Sequence, residues 1–197
     1  VNPLIGTQKV GHTYPGATVP FGSVQLSPDT DQQPHNIGGK YNPDAYKYCA
    51  GYQFDDASII GFSHTHFSGT GHSDLGDFLI MPTVGPLQLE PGSKEDPSTG
   101  FRSKFSHANE TAEAGYYKVL LDDPNVLAEM TATTRVGFHQ YTFPASDQAH
   151  IILDLDIMPF SFVAEGSHLH RHAAQPLQQI QLVRTLVQQH AATLAVP

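Results

Sequence analysis

Residues 116–143, YYKVLLDDPNVLAEMTATTRVGFHQYTF, decide the fold of this chain. This stretch contains three runs: YYKVLLD (116–122), LAEMTATT (127–134) and VGFHQYTF (136–143). The first two alternate apolar and polar residues, and the third is rich in aromatic and β-branched residues. A period of two is typical of strands that bury one face. The Asp-Asp-Pro-Asn connection supplies turn residues between the first two runs. The stretch therefore predicts successive strands separated by short turns.

Similar runs extend this pattern in both directions. HIILDLD (150–156) predicts a strand whose core face carries alternate apolar residues and whose other face carries polar ones: Ile151, Leu153, Leu155 and Ile157 inward, His150, Asp154 and Asp156 outward. PFGSVQLSP (20–28) predicts a further strand with a bulge at Gly22. Many short strands with Gly- and Pro-rich connections predict a mainly β chain, an antiparallel β-sandwich over residues 1–158.

The tail, residues 159–197, differs in composition. From Ala173 it is rich in Gln, Leu, Ala and Val, and apolar residues recur at helical spacing: Ile180, Val183, Val187, Ala191 and Leu194. This spacing predicts a C-terminal amphipathic helix. The helix would either pack on the sandwich or be foreign to the parent protein. The abrupt change of composition near Pro159 favours a foreign segment.

Composition excludes several functions. The formal net charge of −9, with only 15% charged residues, argues against a nucleic-acid partner and favours a neutral polyhydroxy ligand or a cation. An apolar run of 18 residues is absent, so no membrane span is predicted. The chain starts at Val1 without an initiator Met, and we expect any signal peptide to have been removed or left out.

The richest polar segment is the glycine-containing stretch 51–82, which holds three histidines and two aspartates between apolar runs: His64, His66, His72, Asp74 and Asp77. In an extended segment, His64 and His66 would share one face and could bind a divalent metal with Asp74 or Asp77. The alternative, which we favour, is that these groups hydrogen-bond within a polar loop and shape a groove.

The carboxylates also have two interpretations. Asp55-Asp56 or the pair Asp74 and Asp77 could act as acid and base in the manner of a glycosidase. The spacing of Asp74 and Asp77 around a glycine serves turn formation equally well. Asp29 and Asp31 follow Pro28 closely and are interpreted as turn residues.

Cys49 lies within a set of tyrosines, Tyr41, Tyr46, Tyr48 and Tyr52. Its thiol could be a nucleophile beside a histidine, but a small buried Cys is the favoured interpretation. The tyrosines could stack on sugar rings or lie at the edge of the sandwich. A second polar loop, which carries His12 and Tyr14, could sit beside the 51–82 loop if both connect strands at one sheet end.

Long motifs in this sequence closely resemble the N-terminal domain of glycoside hydrolase family 92. They are VNPLIGT (1–7), GHTYPGATVPFGSVQLSPDT (11–30), CAGYQFDDASIIGFSHTHFSGTGHSDLGDFLIMPTVG (49–85), GYYKVLL (115–121) and TATTRVGFHQYTFP (131–144). The resemblance covers about residues 1–157 in the same order. The family consists of exo-acting, calcium-dependent α-mannosidases that invert configuration.

This resemblance implies a β-sandwich joined to an (α/α)₆ barrel that the chain lacks. The barrel would carry the general acid, the general base and most calcium ligands, so we expect no catalytic residue and no metal ligand in this chain. The intact enzyme would remove terminal α-linked mannose from glycans, with a secreted or periplasmic location. No nucleic acid is expected as a partner.

The resemblance implies that loops of this chain form one wall of the mannose pocket. Its substrate-binding candidates are His12, Tyr14, Tyr48, Cys49, Tyr52, His64, His66, Asp74 and Asp77. Tyr48 stands where the family typically has a tryptophan that contacts sugar. Two other functions remain open: a self-standing carbohydrate-binding module that uses Tyr48, and a metal-binding protein that uses histidines and aspartates.

Overall fold

The computed structural model of the chain describes residues 1–69 and 78–154, together with the backbone of 192–196. The described residues form thirteen strands, one short α-helix and one 3₁₀ helix. The strands are β1 (Ala17–Thr18), β2 (Gln25–Asp29), β3 (Asn36–Ile37), β4 (Lys40–Tyr41), β5 (Ser58–Ile59), β6 (Gly61–Ser63), β7 (Leu79–Val84), β8 (Ser103–Glu113), β9 (Tyr116–Leu121), β10 (Val126–Ala132), β11 (Gly137–Thr142), β12 (Ala149–Asp154) and β13 (Ala192–Val196). The helices are α1 (Pro43–Lys47) and the 3₁₀ turn Pro97–Thr99.

Two antiparallel sheets contain most of these strands. The first has the order β1-β2-β6-β7-β12, and the second has the order β13-β11-β10-β9-β8-β5. The stretch 116–143 forms β9, β10 and β11, which pair in succession in the second sheet. The prediction of successive strands there is confirmed.

The two sheets bury one shared core. Leu26, Phe62 and Met81 of the first sheet belong to the same buried cluster as Met130 and Tyr141 of the second. The rings of Phe62 and Tyr141 lie 6.3 Å apart across this core. The burial pattern of β11 alternates strictly, which is expected when one face of a strand is covered. The predicted β-sandwich is confirmed.

Two details of the strand prediction are wrong. On β12, Ile152 is 9% exposed and Leu153 is 55% exposed, so the inward face is offset by one residue from the predicted one over the described residues; Leu155, Asp156 and Ile157 lie outside them. The run Ile-Ile-Leu is apolar on both faces and does not fix the register, and β12 is an edge strand that pairs with β7 alone in its sheet. Gly22 lies in a turn closed by its N–H and the Val19 carbonyl oxygen, not in a bulge.

The predicted C-terminal helix falls largely outside the described residues. Ala192–Val196, which includes Leu194, form a strand that pairs with β11 and do not continue that helix. The described part of the chain contains no helix that is long and apolar enough to span a membrane.

Phe62→Ala tests whether the two sheets share one cooperative core. Phe62 is fully buried, whereas Phe138 on the outer face of β11 is 42% exposed. We expect Phe62→Ala to lower the free energy of unfolding by about 3–5 kcal/mol, and the control Phe138→Ala to lower it by about 0.5 kcal/mol or less. Urea denaturation of the purified chain measures both. Equal losses in the two variants would contradict the described core.

Candidate functional site

Three loops meet at one end of the sandwich, and we call residues 11–14, 48–52 and 64–69 the loop cluster. The Gly69 N–H donates to the His12 carbonyl oxygen at 2.6 Å. The ring of Tyr14 lies 5.2 Å from the ring of His66. The Gln53 amide, just after the second loop, donates to the Lys9 carbonyl oxygen at 2.9 Å. The two polar loops that the sequence suggested as neighbours are therefore in contact.

A buried ion pair lies beneath these loops. His66 Nε2 is 3.1 Å from Asp29 Oδ1, and both side chains are shielded from solvent. His66 Nδ1–H donates to the Gln25 carbonyl oxygen at 2.7 Å. The other carboxylate oxygen of Asp29 accepts from the Ser63 N–H at 3.1 Å. Since both ring nitrogens face acceptors, this arrangement favours the imidazolium form of His66.

The pKa of His66 follows from two opposing effects. Burial lowers it, but the charge and hydrogen bond of Asp29, with the Gln25 carbonyl, outweigh burial and raise the pKa above its ordinary value of 6.5. When His66 is protonated, its charge is paired with the Asp29 carboxylate and neither ring nitrogen has a lone pair available for a metal.

The backbone of Gly51 packs directly against the ion pair. Its φ is +78°, and a Cβ added there would lie 2.0 Å from Asp29 Oδ1 and 3.0 Å from His66 Nε2. The Gly51 carbonyl oxygen accepts from the Thr30 N–H at 3.0 Å. The backbone after Cys49 can approach the pair this closely because residue 51 has no side chain.

His64 has a different role from His66, although one residue separates them. Its Nε2 is 3.1 Å from Nε2 of His139 on β11, so this contact joins the loop after β6 to the opposite sheet. Nδ1 of His139 is 2.7 Å from the Tyr141 hydroxyl oxygen. Burial lowers the pKa of both rings, and a neighbouring histidine lowers each further. Together these effects bring the pKa of His64 to about 4 and that of His139 to about 3. Both rings are neutral near pH 7, with one Nε2 donating and the other accepting.

His12 has an unusual backbone and an unsatisfied ring nitrogen. Its φ is +49°, which is strained for a residue with a Cβ. Its ring lies edge-on to Tyr46 at 4.5 Å, and its buried Nε2 has no hydrogen-bond partner among the described residues. Tyr14 beside it is half-buried, and burial raises the pKa of its hydroxyl. A strained residue with an unsatisfied polar atom is a candidate contact for a group outside this domain.

Tyr48 is held by an ion pair at the side of the loop cluster. Lys94 Nζ donates to the Tyr48 hydroxyl and, at 2.6 Å, to Asp56 Oδ1. Burial raises the pKa of Tyr48 to about 12, although the hydrogen bond from Lys94 opposes the change. Burial lowers the pKa of Lys94, but its hydrogen bonds to Asp56 and Tyr48 outweigh this effect, so the pKa lies above its ordinary value. The phenol is fixed in place and half-exposed.

The surroundings of Cys49 and Tyr52 do not favour a role in substrate binding. Burial raises the pKa of the Cys49 thiol to about 11, so the nucleophilic thiolate is not formed near neutral pH. Tyr52 is 1% exposed and donates its hydroxyl to Glu110 at 2.9 Å. Tyr117 donates to the same carboxylate at 2.6 Å. Tyr52 is therefore a core residue here and not a stacking platform.

Each buried aspartate in the described part of the chain is paired with a cation. Asp29 pairs with His66, Asp56 with Lys94 and Asp31 with Arg102, whose Nη2 donates to Asp31 Oδ1 at 2.8 Å. The interpretation of Asp29 and Asp31 as turn residues was wrong, because Asp29 ends β2 and both carboxylates are buried. Asp55 is exposed and accepts from the Gln8 amide, so Asp55-Asp56 do not form an acid and base pair.

A calcium ion does not fit the described residues. Calcium requires six to eight oxygen ligands, usually with several carboxylates. The buried carboxylates face cationic side chains, and no group of three or more His, Cys, Asp or Glu side chains in residues 1–69 and 78–154 is arranged to hold a metal.

The structure brings together His12, Tyr14, His66 and the segment after Tyr48. His64 and Tyr52 also lie in the loop cluster, but their side chains bond instead to His139 and Glu110 of the second sheet. Asp74 and Asp77 lie outside the described residues. Sequence reasoning missed Lys94, Arg102 and His139. The strand alternation of VGFHQYTF offered a signal for His139, since it places His139 on the same inward face as Tyr141. The two cations had no local signal, because their partners are 38 and 71 residues away in sequence.

The chain belongs to glycosyl hydrolase family 92, whose N-terminal domain model matches residues 1–174. The resemblance seen in the sequence is confirmed, and the match reaches beyond residue 157. A family GH92 alpha-mannosidase from Bacteroides thetaiotaomicron, solved in complex with mannoimidazole, is 45% identical with a TM-score of 0.73, over 81% of this chain and 20% of that one. The GH92 family glycosyl hydrolase ccman5 is 29% identical with a TM-score of 0.63, over 81% of this chain and 20% of that chain.

A curated protein of Arthroderma benhamiae, named an uncharacterized secreted glycosidase, is also similar. It is 29% identical over 148 residues, which are 73% of this chain and 17% of that protein. The chain thus spans about a fifth of the length of the relatives it matches.

Gly51→Ala tests how far the loop cluster depends on the close approach to the ion pair. Gly69 is the matched control, because its φ of +77° is close to the +78° of Gly51 while a Cβ there meets nothing within 4 Å. We expect Gly69→Ala to cost about 1–2 kcal/mol of unfolding free energy from the backbone alone. Gly51→Ala should cost about 1–3 kcal/mol more, from the clash with Asp29. Urea denaturation compares them, and equal costs would contradict the described approach.

The pKa values of the buried histidines should be shifted in opposite directions from the ordinary value, upward for His66 and downward for His64 and His139. His66 should show a pKa above 6.5, and Asp29→Asn should lower it by removing the carboxylate that raises it. The His66 pair then contributes stability that is complete below about pH 6.5 and is lost as the pH rises through the folded pKa. His64 and His139 contribute stability that is complete above about pH 6.5 and is lost as the pH falls towards 4 and 3. NMR titration of the imidazole signals measures each pKa. A His66 pKa below that of His139 would refute the assignment.

Proposed function

We propose that this chain is the N-terminal domain of an α-mannosidase that hydrolyses terminal α-linked mannose of glycans with inversion. In this proposal the loop cluster forms one wall of the mannose pocket. The general acid and general base lie elsewhere in the polypeptide, and the chain by itself is inactive. Membership of family 92 and the likeness to a family GH92 alpha-mannosidase support the substrate class.

The pairing of the buried aspartates is the observation that carries this proposal. An inverting glycosidase needs one carboxylic acid and one carboxylate about 6.5–9.5 Å apart, with a water between the carboxylate and the sugar. Asp29, Asp31 and Asp56 each already neutralise a cation. Moving a proton through any of them would break a buried ion pair at a cost of several kcal/mol. These aspartates therefore position loops and do not perform the proton transfer.

The surface around His12 suits docking against another part of the enzyme. Val10, Tyr46 and Phe67 are exposed apolar side chains on the three segments that converge at His12. Exposed apolar groups that cluster in this way mark interaction surfaces. In the proposal, the remaining four-fifths of the enzyme covers them and leaves the His12 ring at the junction between the domain and the sugar.

The proposal assigns calcium to the part of the enzyme outside the described residues. It also assigns the intact enzyme to the secretory route, on the basis of the secreted glycosidase that the chain resembles. His12 Nε2, which has no partner among the described residues, would exchange a hydrogen bond with a sugar hydroxyl or with the rest of the enzyme.

His12→Ala in the intact enzyme tests the wall assignment. We expect kcat/KM on an aryl α-mannoside to fall about tenfold or more, which corresponds to about 1.4 kcal/mol of lost transition-state binding. His150→Ala is the matched control, because this histidine lies on the edge strand β12 and contacts the Gly85 carbonyl oxygen; it should leave kcat/KM within about twofold.

The same assay includes the 197-residue chain alone with added calcium, which should give no turnover. Turnover by the chain would overturn the proposal that chemistry resides elsewhere. Unchanged kcat/KM in His12→Ala would overturn the role of His12 in the wall.

A further inference from the structure

A cleft outside the loop cluster has the features of a second ligand site. It lies where the end of β7, the segment around the 3₁₀ helix, the start of β8 and the β9–β10 turn meet, and its volume is about 220 Å³. Drug-sized ligands occupy pockets of roughly 300–1,000 Å³, so an occupant of this cleft must be small.

The wall of the cleft is preformed by backbone contacts. The Phe101 N–H donates to the Glu90 carbonyl oxygen at 2.9 Å. Gly92 and Gly100 approach so closely that a Cβ at residue 100 would lie 2.1 Å from the Gly92 nitrogen. The segments 90–92 and 100–101 therefore hold each other in place, and binding of a ligand would require little ordering of the chain.

Two polar atoms on this wall lack partners. Arg102 and Thr83 both line the cleft. Arg102 Nε and Thr83 Oγ1 are buried, and neither has a hydrogen-bond partner among the described residues. An unsatisfied buried donor is costly, so each such group in a folded protein calls for a partner. The Thr83 hydroxyl can donate or accept a hydrogen bond, and Arg102 Nε–H needs an acceptor oxygen.

The charges around the cleft favour a neutral occupant. The Arg102 guanidinium is already paired with Asp31 through Nη2 at 2.8 Å. The carboxylate of Asp123 also lines the cleft, and one of its oxygens accepts from the Lys104 N–H at 2.7 Å. An anion would face this carboxylate in a chain of net charge −9. A metal cation would face the guanidinium.

The remaining lining matches a molecule with hydroxyl groups and apolar C–H faces. Pro86, Pro97, Pro124 and Phe101 supply apolar surface, and the exposed Gln88 supplies an amide that both donates and accepts. We propose that this cleft binds a neutral polyhydroxy ligand the size of one hexose unit. The site is separate from the proposed pocket wall and does not depend on hydrolysis.

Titration of the isotope-labelled 197-residue chain with methyl α-mannopyranoside tests this site. We expect saturable amide shifts at Thr83, Gln88 and Gly100. Thr83→Val, which removes the hydroxyl at nearly constant shape, and Gln88→Ala should each weaken binding about two- to tenfold, the effect of losing one neutral hydrogen bond. Gln140→Ala is the matched control, because Gln140 is an exposed residue of β11; it should leave the affinity unchanged.

Three results would overturn the proposal. One is the absence of saturable shifts at the cleft with the glycoside. Another is binding that is lost in His12→Ala but kept in Thr83→Val and Gln88→Ala, which would assign the sugar to the loop cluster. The third is tighter binding of inorganic phosphate than of the glycoside at the same residues. Since the titration needs no turnover, its failure is distinguishable from failure of the α-mannosidase proposal.

Discussion

The loops of this domain depend on the buried ion pair of Asp29 and His66. Asp29 ends β2, and His66 lies three residues after β6, so the pair joins the first sheet to the loop that leaves it. The Gly51 backbone lies directly on the pair, which gives the Cys49 segment its position. Removing one partner of such a pair leaves an uncompensated buried charge, at a cost of about 3–5 kcal/mol.

The tripeptide His64-Thr65-His66 shows how surroundings give one residue type two functions. His64 meets another histidine and stays neutral near pH 7, because burial and the nearby His66 lower its pKa to about 4. His66 meets two acceptors, the Asp29 carboxylate and the Gln25 carbonyl oxygen, which favour the charged ring. The first histidine joins the sheets and the second anchors the loops. Both rings are buried and their nitrogens bond to groups within the domain, so we infer positioning roles for them.

The sequence predicts the strands of this fold better than its site. The alternation in 116–143 specifies β9, β10 and β11, because burial of one face imposes the period of two. It does not specify the face of β12, where consecutive apolar residues suit either side. Asp29 resembled a turn residue because its partner, His66, is 37 residues away. Ion pairs of this separation depend on how the sheets pack and leave no local pattern.

In the proposed function, this domain completes a mannose pocket whose chemistry resides in the rest of the enzyme. A split enzyme tests it most directly: the chain and the remainder of the polypeptide are produced separately, mixed, and assayed on an aryl α-mannoside with calcium. We expect that the remainder alone has little activity and that adding this chain restores it in a saturable manner. A remainder that is as active alone as the intact enzyme would contradict the claim.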